Sequence, residues 1–193
     1  MKFCLRLVVL FLFFTTQTVI AAPIHGLSIY GPTGLKYKAH QPYDFSNPSA
    51  PKGGYLTLSA YGAFTKLNPM SLKGLVAPGI RTLVFESPMD SSSDDDEPFS
   101  QYGNLIDKVE IAKDRMTMIY HIRKNAKFSD GHPVTADDFV FSFKLVQDPE
   151  YDPFYKQYFK DISNVKKLDS HKVEYPFAIF NQELPLITGQ MPI

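Results

Sequence analysis

The chain reads as an α/β protein, and three stretches carry that reading. Met116 to Ile122 alternates apolar and polar residues, as a half-buried strand does. Phe139, Phe143 and Val146 recur at i, i+4 and i+7 behind a helix-start signal at Thr135. Val165 to Leu168 and Lys172 to Phe177 flank the turn residues Asp169-Ser170-His171, which predicts a hairpin.

The N-terminus comes first along the chain. Lys2 and Arg6 precede an apolar run from Leu7 to Phe14, and Thr15 to Thr18 lead into Val19-Ile20-Ala21-Ala22-Pro23. These are the charged, apolar and small-residue parts of a secretory signal peptide. The run falls short of the roughly 20 residues that cross a bilayer, so export is predicted rather than anchoring. Small residues allow cleavage after Ala21 or Ala22, and Pro23 favours Ala21, giving a signal peptide over 1–21. Cys4 leaves with it, too far upstream to accept a lipid. The remaining 172 residues contain no Cys and carry a net charge of −2. Disulfides, thiol catalysis and Cys-based metal sites are therefore excluded from the mature chain, which must be held by its core.

Tyr55 to Tyr61 alternates Leu56, Leu58 and Ala60 against Tyr55, Thr57, Ser59 and Tyr61 between glycines, and predicts a strand. Pro78-Gly79 opens a segment with Ile80, Leu83 and Val84 at i, i+3 and i+4 before Pro88. A short helix ending near Ser87 is predicted, its apolar stripe facing a sheet. Ser91 to Glu97 is a run of serines and acids that reads as a solvated loop, because packed like charges repel. A calcium loop is the alternative, for which oxygen ligands are present but the alternating Asp and turn Gly of the EF-hand loop are missing.

In the Met116–Ile122 strand, Met116, Met118, Tyr120 and Ile122 share one face. Lys113-Asp114-Arg115 predicts a turn pairing it with Lys108 to Ala112. Asp130-Gly131 supplies a turn, and Thr135 with Asp138 a capping box, so Asp137 and Asp138 serve the positive end of a helix dipole rather than acid–base chemistry. Asp148-Pro149 ends that helix. His25, His40, His121, His132 and His171 are scattered without metal-ligand spacing; His121 has no carboxylate at i±2 and reads as structural or exposed.

Composition narrows function further. Lys+Arg and Asp+Glu both number 20, so no basic excess points to nucleic acid. No Gly-x-Ser-x-Gly elbow or His-Glu-x-x-His helix marks a hydrolase.

The stretch from Tyr120-His121-Ile122-Arg123 through Phe128-Ser129-Asp130-Gly131 and Thr135-Ala136-Asp137-Asp138-Phe139 to Phe143 resembles the signature block of the family 5 extracellular solute-binding proteins. There a strand ending in Leu-Arg leads through Phe-His-Asp-Gly and Thr-Ala-Glu-Asp-Val into a helix. Leu67-Asn68-Pro69 and the Val165–Val173 stretch fall where the family has its Leu-Asn-Pro motif and its hairpin. Asn47 to Gly54, Leu72-Lys73-Gly74, Asp96-Glu97-Pro98-Phe99 and Glu183 to Ile187 resemble the Yej-type branch, which serves uptake of oligopeptides and of microcin C-type antibiotics. Three positions depart from the pattern: Val109 replaces a Trp, Ser129 a His, and Asp137 a Glu.

The resemblance implies a bilobed periplasmic binding protein of type II, with a mixed sheet, hairpins and flanking helices. Residues 22–193 then form an N-terminal lobe segment, with the second lobe absent. It implies a monomer in a Gram-negative-type periplasm that captures oligopeptides for an inner-membrane ABC permease and ATPase complex. No cofactor, metal, nucleic acid or catalytic residue is implied. In peptide-binding relatives a segment just after Leu-Asn-Pro runs beside the ligand backbone; here it maps to Lys73, Gly74 and Leu75, with a plain loop as the alternative. Family members are far longer, and the chain ends at Gly189 to Ile193 with no helix end legible. It therefore reads as an incomplete first lobe, expected to bind ligand weakly or not at all on its own. A non-binding remnant and, more distantly, a secreted hydrolase are the other readings.

Overall fold

The structure is a computed structural model and describes residues 21–91 and 99–193. Residues 1–20, which hold nearly all of the expected signal peptide, and residues 92–98, most of the acidic run, lie outside the described residues.

Two antiparallel sheets organise the chain. In the larger, β4 (Ile106–Ile111), β5 (Thr117–Ile122), β7 (Lys172–Pro176) and β6 (Lys166–Asp169) lie in the order β4-β5-β7-β6. The predicted Lys113–Arg115 turn joins β4 to β5, with Val109 opposite Tyr120 and Ile111 opposite Met118. The predicted second hairpin is β6–β7, and β5 pairs with β7 across its full length. In place of the expected mixed sheet, the pairings between named strands among the described residues are antiparallel, as hairpins require.

Alternation places the core as predicted. Met118, Tyr120 and Ile122 of β5 are buried on the same face, joined by Val109, Val173 and Tyr175 of its neighbours. Helix α2 (Ala136–Gln147) packs over β6 and β7 and buries Phe139, Phe143 and Val146. Its capping box forms: Asp138 Oδ2 accepts the Thr135 N–H at 2.7 Å and its hydroxyl at 2.9 Å. Asp137 turns away to Lys167 at 2.6 Å, so the adjacent acids do separate structural work.

The smaller sheet, β1 (Gly26–Ser28), β3 (Ser100–Gly103) and β2 (Met89–Ser91) in the order β1-β3-β2, left no mark in the periodicity because its strands are only three or four residues long. Ahead of it, Ile24 exchanges both backbone hydrogen bonds with Val109 at 2.9 and 2.8 Å, so the chain just past the predicted cleavage site lines the edge of β4.

Two expectations fail. Residues 55–61 form no strand: no backbone hydrogen bond among the described residues engages them, and Tyr55, Leu56, Leu58 and Tyr61 are exposed. Alternation makes a strand only where another strand supplies the ladder. The predicted helix at 80–87 is the four-residue α1 (Ile80–Leu83), and its stripe faces outward, with Leu83 80% and Val84 64% exposed. At the far end, α4 (Leu184–Thr188) closes at Gly189, a helix end that was not legible, and Met191 beyond it is fully buried. Pro185 and Leu186 bury into the core there without a helical repeat long enough to read.

Candidate functional site

Leu67-Asn68-Pro69 is fastened from several sides. Asn68 Oδ1 accepts the Met70 N–H at 2.8 Å, an Asx turn that sets the bend. Arg81 of α1 donates to the Pro69 carbonyl at 2.9 Å and to the Tyr155 hydroxyl at 3.0 Å. Tyr155 belongs to α3 (Pro153–Tyr158), which was not predicted and whose Asp152 cap also donates its N–H to the Met70 carbonyl at 2.9 Å. Lys66 Nζ reaches the Ser71 carbonyl and hydroxyl.

From this anchored corner the chain loops out through Leu72 and returns at Leu75. The Leu75 carbonyl accepts from Thr65 N–H at 2.9 Å and Lys66 N–H at 3.1 Å, and its own N–H donates to Thr65 Oγ1 at 2.9 Å. Both backbone groups of Leu75 are thus used within the protein. No hydrogen bond among the described residues engages the backbone of Lys73 or Gly74, and both are exposed. Gly74 has φ +94°, and a Cβ there would stand 2.9 Å from Thr65 Oγ1, so the fold itself requires glycine at this position.

Beside the loop lies an apolar groove of about 640 Å³, walled by Leu67, Met70, Ile80, Val84, Leu145 and Tyr151. Burial, with a smaller contribution from neighbouring Tyr155, pushes the Tyr151 hydroxyl up to about 12, and the carboxylates Asp148 and Glu150 also line the groove. The groove offers shape and apolar surface, and the exposed loop offers backbone donors and acceptors.

The signature block does other work. Arg123 donates to the Gly103 carbonyl at 2.7 Å and the Ile106 carbonyl at 3.2 Å, holding the β3–β4 turn. Asp130 accepts the His132 N–H at 2.9 Å across the Gly131 turn; that bond, with the His132 side chain, holds its carboxyl below the ordinary range. The other histidines separate as well. His25 meets the Tyr37 carbonyl at 2.8 Å, His171 the Ser170 hydroxyl at 2.9 Å, and His121 a carboxylate from the next strand, Glu110, at 2.5 Å. Among the described residues no three His, Cys, Asp or Glu side chains gather as a metal site would need.

Comparison with known proteins matches this architecture. Residues 100–190 fit the model of the bacterial extracellular solute-binding proteins, family 5 Middle. The chain is 37% identical over 179 residues to the peptidoglycan-binding protein YepA of Agrobacterium fabrum, covering 88% of this chain and 28% of that protein. It is 36% identical over 152 residues to the probable peptide-binding protein YejA of the same organism, covering 78% of this chain and 24% of that one. The chain thus spans about a quarter of the length of these relatives. Among solved structures, NikZ from Campylobacter jejuni in complex with Ni(L-His) superposes with a TM-score of 0.55 at 20% identity, over 68% of this chain and 26% of that one, which speaks for the fold alone. Hairpin sheet, capped helix and signature turn thus coincide with a family match over 100–190, and the chain belongs to the family 5 bacterial extracellular solute-binding proteins.

Proposed function

We propose that this chain supplies part of the peptide-holding lobe of an exported binding protein that captures oligopeptides in the periplasm. The protein would then pass them to an ABC importer in the inner membrane. What carries the reading is its similarity, over most of its length, to relatives named as peptidoglycan-binding and probable peptide-binding proteins. The loop geometry supports it. The unengaged backbone of Lys73 and Gly74 beside an apolar groove suits a ligand held by main-chain hydrogen bonds, which recognise peptides irrespective of sequence. Leu75 contributes its exposed side chain rather than its backbone. Within this reading, peptides released from the cell wall and microcin C-type peptides are both admissible cargo, because each presents a peptide backbone. The signal-like residues 1–21 support export.

Calorimetric titration with pools of short peptides tests the proposal, on the 172-residue product and on a fusion of it to the remaining sequence of YepA. Heat from the fusion, lost when the peptides are N-methylated along the backbone, is the expected result. The 172-residue product alone should bind weakly or not at all; low-micromolar affinity there would overturn that expectation. No heat with any pool, alongside tight binding of a sugar or metal complex, would sink the peptide assignment.

A further inference from the structure

A second, smaller cavity of about 200 Å³ opens between β1, the β4–β5 turn and α4. It shares no residue with the groove beside Lys73–Leu75. Ile24, Leu27, Ile111, Pro185 and Leu186 make its walls apolar, and Arg115 stands among them. Arg115 is half-buried and sits at φ +58°, a left-handed conformation uncommon for a residue with a Cβ. Its Nε is shut off from solvent and has no hydrogen-bond partner among the described residues. Among the described residues, the guanidinium makes one hydrogen bond, a 3.5 Å reach from Nη2 to the Gln182 carbonyl, and no carboxylate pairs with it.

A guanidinium stays charged at any ordinary pH, and burying part of it against apolar walls without a counter-ion is unfavourable. Its planar fork matches a carboxylate in two-point geometry. We propose that this cavity binds a carboxylate carried on a short aliphatic chain, the carboxylate against Arg115 and the chain against Ile24, Ile111 and Leu186. At about 30 Å³ per liquid water, the cavity holds roughly six or seven water volumes, which matches an acid of four or five carbons. Two sources share this chemistry: a free short-chain acid, and the C-terminal residue of a peptide ending in a small aliphatic side chain.

Calorimetry on the full chain would compare sodium valerate with valeramide, and the dipeptide Gly-Val with its C-terminal amide. The site predicts that at least one acid binds about tenfold or more tightly than its amide, as a charge-assisted pair replacing a neutral one implies. Whichever acid shows the larger preference names the source. Arg115→Gln, verified as folded by its melting curve, should erase the preference. Equal binding of acid and amide by the unmodified chain, no binding of any of the four, or an unchanged preference in Arg115→Gln would each overturn the proposal. The wild-type comparison decides the matter even where the variant fails to fold.

Discussion

Tyr120 and Tyr175 meet edge to face on neighbouring strands, with ring centroids 5.2 Å apart, yet only one of the two hydroxyls is satisfied. Tyr120 shares a hydrogen bond of 2.9 Å with Thr188, which ties α4 to the sheet, whereas the Tyr175 hydroxyl is buried without a partner among the described residues. Burial raises both phenols well above the ordinary range. The two Tyr→Phe variants should therefore diverge in urea melts. Tyr120→Phe should cost about 1 kcal/mol, the worth of a typical buried hydrogen bond, while Tyr175→Phe should be neutral or stabilising. Equal losses would contradict the assignment.

His121 and Glu110 face each other at 2.5 Å from adjacent strands, both largely buried. Removing the carboxylate in Glu110→Ala leaves His121 beside Lys108 and Lys172, which stand opposite it in register on either side. A double-mutant cycle of Glu110→Ala with His121→Ala should show a coupling of about 0.5–1 kcal/mol. A coupling of zero would mean the contact contributes nothing.

The capping box at α2 should be worth about 1 kcal/mol. Asp138→Ala removes the acceptor for two Thr135 donors and should lower the thermal midpoint. Asp137→Ala, which loses only an exposed pair with Lys167, should change it by a few tenths of a kcal/mol at most.

Gly74→Ala meets two penalties, the left-handed φ and the approach to Thr65 Oγ1. A loss of about 1–2 kcal/mol is expected from the backbone alone. Thr65→Ala in the same chain should recover the steric part and leave the backbone part. Full tolerance of Gly74→Ala would show that the loop is not held as described.

Alkaline stability should report Tyr151. Below pH 10 its phenol is neutral in both folded and unfolded chains and makes no difference between them. From pH 10 to about 12 the unfolded chain releases the proton while the folded one retains it, so stability falls as pH rises. Thermal melts across that window should fall less steeply for Tyr151→Phe. Some decline should persist, because Tyr120 and Tyr175 act in the same direction.

The elements legible in the sequence are those whose pattern is local and complete. β5 alternates over six residues, α2 carries its own cap and stripe, and β6–β7 surround their own turn. Short elements escaped: β1, β2 and β3 run three or four residues, and α3 and α4 five or six, below the length at which a period can be read. The strand expected at 55–61 had the pattern but no described partner. For the candidate site, Lys73 to Leu75 could be mapped only by family resemblance. That Leu75 spends its backbone on Thr65 and Lys66, leaving Lys73 and Gly74 available, required the return of the chain.

By itself, then, the sequence determined the two hairpins, the capped helix and the family, because each rests on residues adjacent in the chain. Tertiary structure decided which polar groups meet. Glu110 reaches His121 from the neighbouring strand, Thr188 reaches Tyr120 across 68 residues, and Arg115 stands in an apolar cavity with no carboxylate beside it among the described residues. Pairings of that kind depend on register and on packing between distant segments, and no local pattern of residues encodes them.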